Sequence, residues 1–174
     1  GDGKGKVVHL FSRDCSLQRR YQKVLEEAPA RNLPEDKLNE IQEICVSACS
    51  ELKYEGAGTL EFLIENNEFY FIEMNTRIQV EHTVTEMITG VDLVQAQLSL
   101  AIEGKFELKQ EKLRINGHAM QCRINAEDPE TFIPSPGEIT NVHRPGGYHV
   151  RFESQIYSGY KVPSNYDSLI AEVI

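Results

Sequence analysis

A run of alternating polar side chains is the part of the sequence best suited to chemistry. Glu73, Asn75, Arg77, Gln79 and Glu81 occupy every second position of one stretch, and the positions between them carry no charge. In an extended chain these five side chains share one face. Such groups are costly to bury unless each has a partner, such as a metal, a ligand or another side chain. The pattern favours a binding or catalytic strand over a plain surface strand.

A further carboxylate, Glu61, lies in a neighbouring apolar segment. The two apolar segments predict a β-hairpin around a polar loop, 59–64 and 69–75. A two-residue loop puts Glu61 and Glu73 on opposite faces, whereas a three-residue loop puts them on the same face. Asn67 tolerates the left-handed conformation that a three-residue loop requires. We therefore predict an odd-length loop, and a two-residue turn would remove the shared site.

With both carboxylates on one face, the ligand set of Glu61, Glu73 and Asn75 is all oxygen. Hard oxygen ligands suit Mg²⁺ or Mn²⁺, with phosphate oxygens and water completing the coordination. Two facing carboxylates repel each other unless a cation lies between them. The sequence therefore predicts a divalent metal site here. The alternative is a pair of surface glutamates on a half-exposed sheet.

The elements that position these residues have local signals. Helical periodicity predicts three helices, over residues 32–52, 83–89 and 92–103. Asn32 is the predicted N-cap of the first helix, and Asp92 and Gly104 are the predicted N-cap and terminator of the third. A β-branched run predicts a strand at residues 7–11. The cation-rich segment 12–23 is compatible with a solvated loop or with a loop that handles phosphate or carboxylate.

The C-terminal part changes character after a polar connector at residues 106–113, which is a plausible domain boundary. Short strands and turns follow, at residues 117–125, 139–143, 150–152 and 157–162. Arg123 lies in the interior of the first of these strands. A charged residue there is either on a wet face or paired, and nothing in the local sequence decides which.

Bulk properties exclude several classes of function. The net charge of −9 argues against a nucleic-acid surface, and no apolar run approaches the roughly 20 residues of a membrane helix. We find no signal peptide and no Cys-x-x-Cys spacing, so we expect a cytoplasmic protein with reduced cysteines. The Gly-rich start and the apolar run at residues 168–174 look cut from a longer polypeptide.

Four segments together resemble biotin carboxylase, the ATP-grasp enzyme of acetyl-CoA carboxylase and related biotin-dependent carboxylases: Arg13–Arg20, Gly58–Phe62, Phe71–His82 and Cys122–Asp128. The resemblance covers essentially the whole chain and implies an α+β fold. Residues 1–113 would form the C-terminal half of an ATP-grasp domain, an antiparallel sheet with packing helices. Residues 114–174 would begin the β-rich C-terminal domain. The N-terminal domain and most of the lid would be missing, so the isolated chain should be inactive.

The resemblance also implies roles for individual residues. The metal ions that bridge the ATP phosphates would be held by Glu61, Glu73 and Asn75. Bicarbonate would be bound by Lys23, Arg77, Gln79 and the Val80 backbone. Glu81 would be the general base, and Arg123 would stabilise the biotin enolate. The nucleotide would lie near Gln18, Leu63, Ile72 and Tyr21, the last at a position where many relatives carry a histidine.

The implied activity is that of an ATP-dependent ligase. It would carboxylate biotin on a carrier protein with bicarbonate, through carboxyphosphate, in the first half-reaction of acetyl-CoA carboxylase and hence in fatty acid synthesis. The implied partners are the biotin carboxyl carrier protein, carboxyltransferase subunits and a second copy of the protein, with Tyr148 and Arg151 near the dimer contact.

Three alternatives stay open. The chain could belong to the biotin carboxylase region of pyruvate or propionyl-CoA carboxylase. It could be another ATP-grasp ligase, such as a carbamoyl-phosphate-type synthetase, although the Arg77–Glu81 run and Arg123 argue against this. It could also be a non-catalytic fragment.

Overall fold

The computed structural model describes residues 1–174 and combines nine strands with three α-helices and one 3₁₀ helix. In chain order the elements are β1 (Asp14–Arg19), β2 (Gln22–Ala28), α1 (Glu35–Glu51), β3 (Thr59–Glu65), β4 (Glu68–Asn75), α2 (His82–Thr89), α3 (Leu93–Glu103), the 3₁₀ helix Gln110–Lys112, β5 (Ala119–Asn125), β6 (Gly137–Glu138), β7 (Phe152–Glu153), β8 (Lys161–Val162) and β9 (Leu169–Val173). This mixture of helices and antiparallel strands confirms the predicted α+β class. None of the helices combines the length and the apolar character that crossing a membrane requires.

The chain forms two compact units. The first contains residues 1–14 and 27–119, and the second contains residues 15–26 and 120–174. The first unit carries all three helices and the β3–β4 hairpin, with buried Val84 and Ile88 from α2 in its core. The predicted domain division into residues 1–113 and 114–174 stays a prediction.

The helices form where their local signals predict them, with one cap misassigned. Asp92 caps α3 by accepting a hydrogen bond from the Gln95 N–H at 2.7 Å, and Gly104 ends it with φ +64°. The prediction that Asn32 caps α1 was wrong. Asn32 has φ +59°, and the helix begins only after Pro34, whose carbonyl accepts the Leu38 N–H.

The β3–β4 hairpin ends in a two-residue turn, so the predicted odd-length loop was wrong. Asn66 and Asn67 have φ +53° and +63°, and Glu65 pairs with Glu68 across the turn. Two successive residues with positive φ match the right-handed twist of a tight hairpin. The turn did not remove the shared site, because a β-bulge corrects the register further along the ladder.

A five-stranded sheet in the order β1-β2-β5-β9-β7 lies largely in the second unit. Strand β9 pairs antiparallel with both β5 and β7, so that Glu172 is the register partner of Arg123 on one side and of Glu153 on the other. Strands β6 and β8 form a separate two-stranded ribbon.

Two predictions near the N-terminus were wrong. The segment predicted as a loop is the β1–β2 hairpin, which turns at Arg20 and Tyr21 with positive φ at both residues. The strand predicted at residues 7–11 does not form. Phe11 has φ +66°, which interrupts an extended backbone, and the His9 N–H donates to the Gln110 side chain at 2.9 Å.

The C-terminal strands are shorter than predicted. Residues 139–143 do not form a strand, and the pairing of that region is limited to Gly137–Glu138 against Lys161–Val162. The hydrogen bonds between Ile139 and its partners Gly159 and Tyr160 close this ribbon, so the ladder does not extend past Ile139. The third short strand is Phe152–Glu153 in place of residues 150–152.

Candidate active site

The two hairpin carboxylates face each other across β3 and β4. Glu61 is the direct register partner of Glu73, because the ladder shifts between Glu61 and Phe62 and leaves Ile72 as the extra, bulged residue. The Asn75 amide nitrogen donates to Oε1 of Glu61 at 3.2 Å and to Oε1 of Glu73 at 3.1 Å. Both carboxylate oxygens therefore converge on one point.

This convergence fits a divalent cation. The amide N–H groups of Asn75 supply the positive partner that two opposed carboxylates need. The same side chain offers a carbonyl oxygen when its amide is rotated, which completes an oxygen-only ligand set. Such a set suits Mg²⁺ or Mn²⁺, and the residues that could hold the metal are Glu61, Glu73 and Asn75.

A second layer of hydrogen bonds holds Glu61 in place. The buried Gln79 donates to Oε1 of Glu61 at 2.7 Å, and its own carbonyl oxygen accepts from Arg13 at 2.8 Å. Arg13 also donates to the hydroxyls of Thr59 and Thr85, each at 3.0 Å. A continuous path of side-chain hydrogen bonds thus joins Arg13 to the carboxylate pair.

Arg13 is a site-supporting residue that sequence reasoning missed. It lies among the other cations of segment 12–23, and its three partners lie 46, 66 and 72 positions away along the chain. The only local sign of this role is that Arg13 is a cation beside an otherwise extended segment. Nothing in the sequence near Arg13 predicts that Gln79 is its partner.

The polar row does not continue as one strand. Strand β4 ends at Asn75, and the His82 N–H donates to the Gln79 carbonyl at 3.1 Å, which closes a turn before α2. The prediction of a single extended face through Glu81 was therefore wrong beyond Asn75. Arg77 is exposed, and its guanidinium bonds the Ile78 carbonyl at 3.2 Å.

The turn before α2 places the buried carboxylate of Glu81 at the start of that helix. Its side chain is 2% exposed, and it is the N-cap residue of α2. The N-terminus of a helix carries a partial positive charge that stabilises a nearby anion. Glu81 is two residues along the chain from Gln79, which donates to Glu61, so this buried acid is close in sequence to a side chain that contacts one of the metal candidates.

In the second unit, Arg123 is the central charged residue. Its Nε and NH2 groups donate to Oε1 of Glu26 at 2.6 and 2.5 Å. The Glu26 side chain is fully buried and that of Arg123 is 17% exposed. Of the two possibilities left by the sequence, the structure selects the paired one.

The remaining predicted residues are divided between the units. Leu63 and Ile72 expose their side chains on β3 and β4 of the first unit. In the second unit, Gln18 lies on β1 and donates to the Cys15 carbonyl at 3.0 Å, and Tyr21 is 99% exposed at the hairpin turn. Lys23 is half-buried on β2 and Val80 is half-buried just before Glu81.

Comparison with known proteins defines the class. Residues 1–109 match the family model described as carbamoyl-phosphate synthase L chain, ATP binding domain. Residues 121–174 match the family model of the biotin carboxylase C-terminal domain. The first match covers more than half of the chain, and the second distinguishes between the enzymes that share such an ATP-binding domain.

Individual relatives agree with both matches. The chain is 60% identical over 173 residues to the biotin carboxylase of Haemophilus influenzae, covering 99% of the chain and 39% of that protein. It is 48% identical to a pyruvate carboxylase subunit of Methanothermobacter thermautotrophicus, covering 99% of the chain and 35% of that protein. The chain thus spans about two fifths or less of these relatives.

A solved structure matches the fold closely. The biotin carboxylase of Campylobacter jejuni in complex with β-γ-ATP superimposes with a TM-score of 0.95 at 49% identity, covering 99% of the chain and 39% of that structure. The chain belongs to the biotin carboxylase family.

Proposed function

We propose that the protein to which this chain belongs is an ATP-dependent ligase that carboxylates biotin on a carrier protein, with bicarbonate as the carbon source. Its relatives named biotin carboxylase support this function. The observation that carries it is the direct pairing of Glu61 with Glu73, with Asn75 bonded to both. A surface hairpin without a ligand gains nothing from opposing two carboxylates.

Glu61, Glu73 and Asn75 would hold Mg²⁺ or Mn²⁺ in the active protein. When bound, the metal neutralises charge on the ATP phosphates and on the transferring phosphoryl group. Gln79 and Arg13 fix the Glu61 carboxylate from behind through their hydrogen bonds. Gln79 and Arg13 therefore hold the Glu61 carboxylate in position before ATP binds.

Arg77 binds bicarbonate, aided by Gln79, Lys23 and the Val80 backbone. A guanidinium holds a planar oxyanion with two parallel hydrogen bonds. Arg77 is exposed, and its bonds to the Ile78 carbonyl and to Asn75 are long, at 3.2 and 3.4 Å. Because these contacts are weak, an anion can replace them at little cost.

Glu81 is the general base in the proposed reaction. It takes the proton of bicarbonate, and the resulting oxygen attacks the γ-phosphorus of ATP, so that ADP leaves and carboxyphosphate forms. Carboxyphosphate breaks to carbon dioxide and phosphate. That phosphate takes the proton from the ureido nitrogen of biotin, and the nitrogen then attacks carbon dioxide.

Arg123 stabilises the negative charge that biotin acquires when its ureido proton leaves. A preorganised cation aimed at developing charge is among the largest contributions that a protein makes to catalysis. Glu26 binds two donor groups of Arg123, which holds the guanidinium in one orientation. Gln18, Tyr21, Leu63 and Ile72 contact the nucleotide in this proposal.

We infer a biotin carboxylase component of acetyl-CoA carboxylase that works in the cytoplasm as a homodimer, with Tyr148 and Arg151 near the dimer contact. It would act with a biotin carboxyl carrier protein and carboxyltransferase subunits. Pyruvate carboxylase is the main alternative, because one of its subunits is among the relatives.

The full-length protein tests this function. Purified enzyme should cleave ATP only with bicarbonate and a divalent metal, and free biotin or the carrier protein should raise the rate. The isolated chain should show no turnover, since it spans about two fifths of its relatives. ATP cleavage that ignores bicarbonate, or carboxylation of biotin by the isolated chain, would contradict the proposal.

A further inference from the structure

A row of charged side chains crosses the five-stranded sheet of the second unit. From β2 through β5 and β9 to β7 its members are Glu26, Arg123, Glu172 and Glu153. Arg123 is bonded to Glu26 and is the register partner of Glu172. Arg151 completes the row by donating to Glu153 at 2.6 Å. Arg123 therefore lies between two carboxylates, only one of which bonds it directly.

Glu172 is the unusual member of this row. Its Oε2 atom is buried and has no hydrogen-bond partner. The pKa of Glu172 is raised from 4.5 to about 7: burial is the largest cause, Arg123 and Arg151 lower the pKa, and Glu153 and Glu26 raise it. A carboxyl group with these surroundings changes its charge close to neutral pH, unlike an ordinary glutamate.

The orientation of Arg123 and its electrostatic surroundings are controlled by carboxylates on the two strands that flank β5. Glu26 binds both Nε and NH2 of Arg123, so it sets the direction of the guanidinium. Glu172 does not share that task, and its effect on Arg123 is through the charge of its carboxyl group. Between closely spaced groups of low solvent exposure, a unit charge has a large effect.

We propose that Glu172 acts through Arg123, and that ionisation of Glu172 weakens the attraction between Arg123 and the biotin enolate. This inference rests on the proposed biotin carboxylase function. With Glu172 neutral, the charges of Glu26 and Arg123 cancel. With Glu172 ionised, the three groups carry a net negative charge, which opposes an anion at Arg123.

The sign of the pH dependence follows directly. As pH rises through about 7, Glu172 loses its proton, and the contribution of Arg123 to the biotin half-reaction should fall. Glu172→Gln keeps the shape of the side chain and removes its ionisation. The rate ratio of Glu172→Gln to wild type should therefore rise from near one at about pH 6 to roughly threefold to tenfold at about pH 8.

The experiment measures two reactions of the full-length enzyme across this pH range. One is biotin-dependent carboxylation, and the other is bicarbonate-dependent ATP cleavage without biotin. The ratio should rise with pH in the first and stay flat in the second, because Arg123 acts only on biotin. A flat ratio in both, or an equal loss in both at every pH, would overturn the inference.

Glu153→Gln supplies a second, independent variant. It removes a like charge that raises the pKa of Glu172. When the double variant Glu153→Gln/Glu172→Gln is compared with Glu153→Gln alone, the rise in the rate ratio should therefore occur at lower pH. An unmoved midpoint would contradict the role of the charge row. If wild-type enzyme shows no bicarbonate-dependent ATP cleavage at all, the proposed function fails, and this outcome differs from a flat ratio in an active enzyme.

Discussion

Glu61 and Glu73 lie directly opposite each other because one residue, Ile72, bulges out of the ladder between β3 and β4. The two-residue turn alone would pair Glu61 with Ile72 and send the carboxylates to opposite faces. Bulges commonly redirect side chains next to active sites. The metal candidates of this chain therefore depend on an irregularity in the strand and not on the length of the turn.

The carboxylate pair leads to a prediction about metal dependence. Glu61→Gln and Glu73→Gln should each reduce ATP cleavage by the full-length enzyme by roughly a hundredfold or more, since each removes one charged ligand of the metal. Higher Mg²⁺ or Mn²⁺ should restore part of the lost rate. The measurement is the rate of ADP release as a function of metal concentration.

The same hairpin offers a matched control. Glu65 and Glu68 are also opposed across the two strands, but they lie directly beside the turn, four and five positions along the chain from Glu61 and Glu73. Glu65→Gln and Glu68→Gln should leave both the rate and the metal dependence unchanged. Equal effects at both glutamate pairs would show that the hairpin responds to charge in general, and the metal assignment would then be wrong.

Arg13 should matter for stability, since its hydrogen bonds support the buried Gln79. Arg13→Met leaves the carbonyl oxygen of Gln79 without this donor, and such a loss typically costs about 1–3 kcal/mol. We expect a lower urea midpoint for the full-length protein and weaker metal binding. Arg20→Met, at the exposed β1–β2 turn, is the control and should change stability by less than about 0.5 kcal/mol. Equal effects of the two substitutions would refute this role.

Arg123 should separate the two halves of the reaction. Arg123→Ser should reduce biotin carboxylation far more than bicarbonate-dependent ATP cleavage, because only the first requires a cation at biotin. Taking the ratio of the two rates cancels any loss of folded enzyme caused by leaving Glu26 buried without Arg123. If both rates fall equally, Arg123 does not stabilise the enolate.

Glu172 also makes the stability of the protein depend on pH. Its folded-state pKa, about 7, exceeds the ordinary value of 4.5, so the folded state binds more protons between these values. Stability should therefore fall as pH rises from about 4.5 to about 7 and then level off. Because Glu172 is only partly buried, solvent screening reduces the expected loss to about 1–2 kcal/mol. Glu172→Gln should remove this component from the urea unfolding profile, and an unchanged profile would contradict the raised pKa.

Features with local causes were predictable from the sequence. The ends of α3 follow from Asp92 and Gly104, and the existence of the β3–β4 hairpin follows from two apolar runs around an Asn-Asn loop. The residues of the carboxylate pair were also predicted, because their types and spacing are unusual for a strand. For the helix ends and the hairpin a few neighbouring residues determine the outcome, whereas the facing of Glu61 and Glu73 also requires the bulge at Ile72.

Features that depend on distant partners were not predictable in the same way. The bulge at Ile72 reflects the geometry of the paired strands, and no residue type at that position announces it. Strand β1 is polar and was predicted as a loop, since nothing nearby reveals its place in a five-stranded sheet. The contact between His9 and Gln110 spans 101 positions, and it is this kind of bond that replaces the predicted strand at residues 7–11.

Glu81 provides the most direct test of the whole account. Glu81→Gln keeps the size of a side chain that is 2% exposed, and it removes the base that should activate bicarbonate. The measurement is bicarbonate-dependent ATP cleavage by full-length Glu81→Gln enzyme, with nucleotide binding as the control. We predict that cleavage falls to the background rate while nucleotide still binds, and wild-type cleavage by this variant would contradict the proposed mechanism.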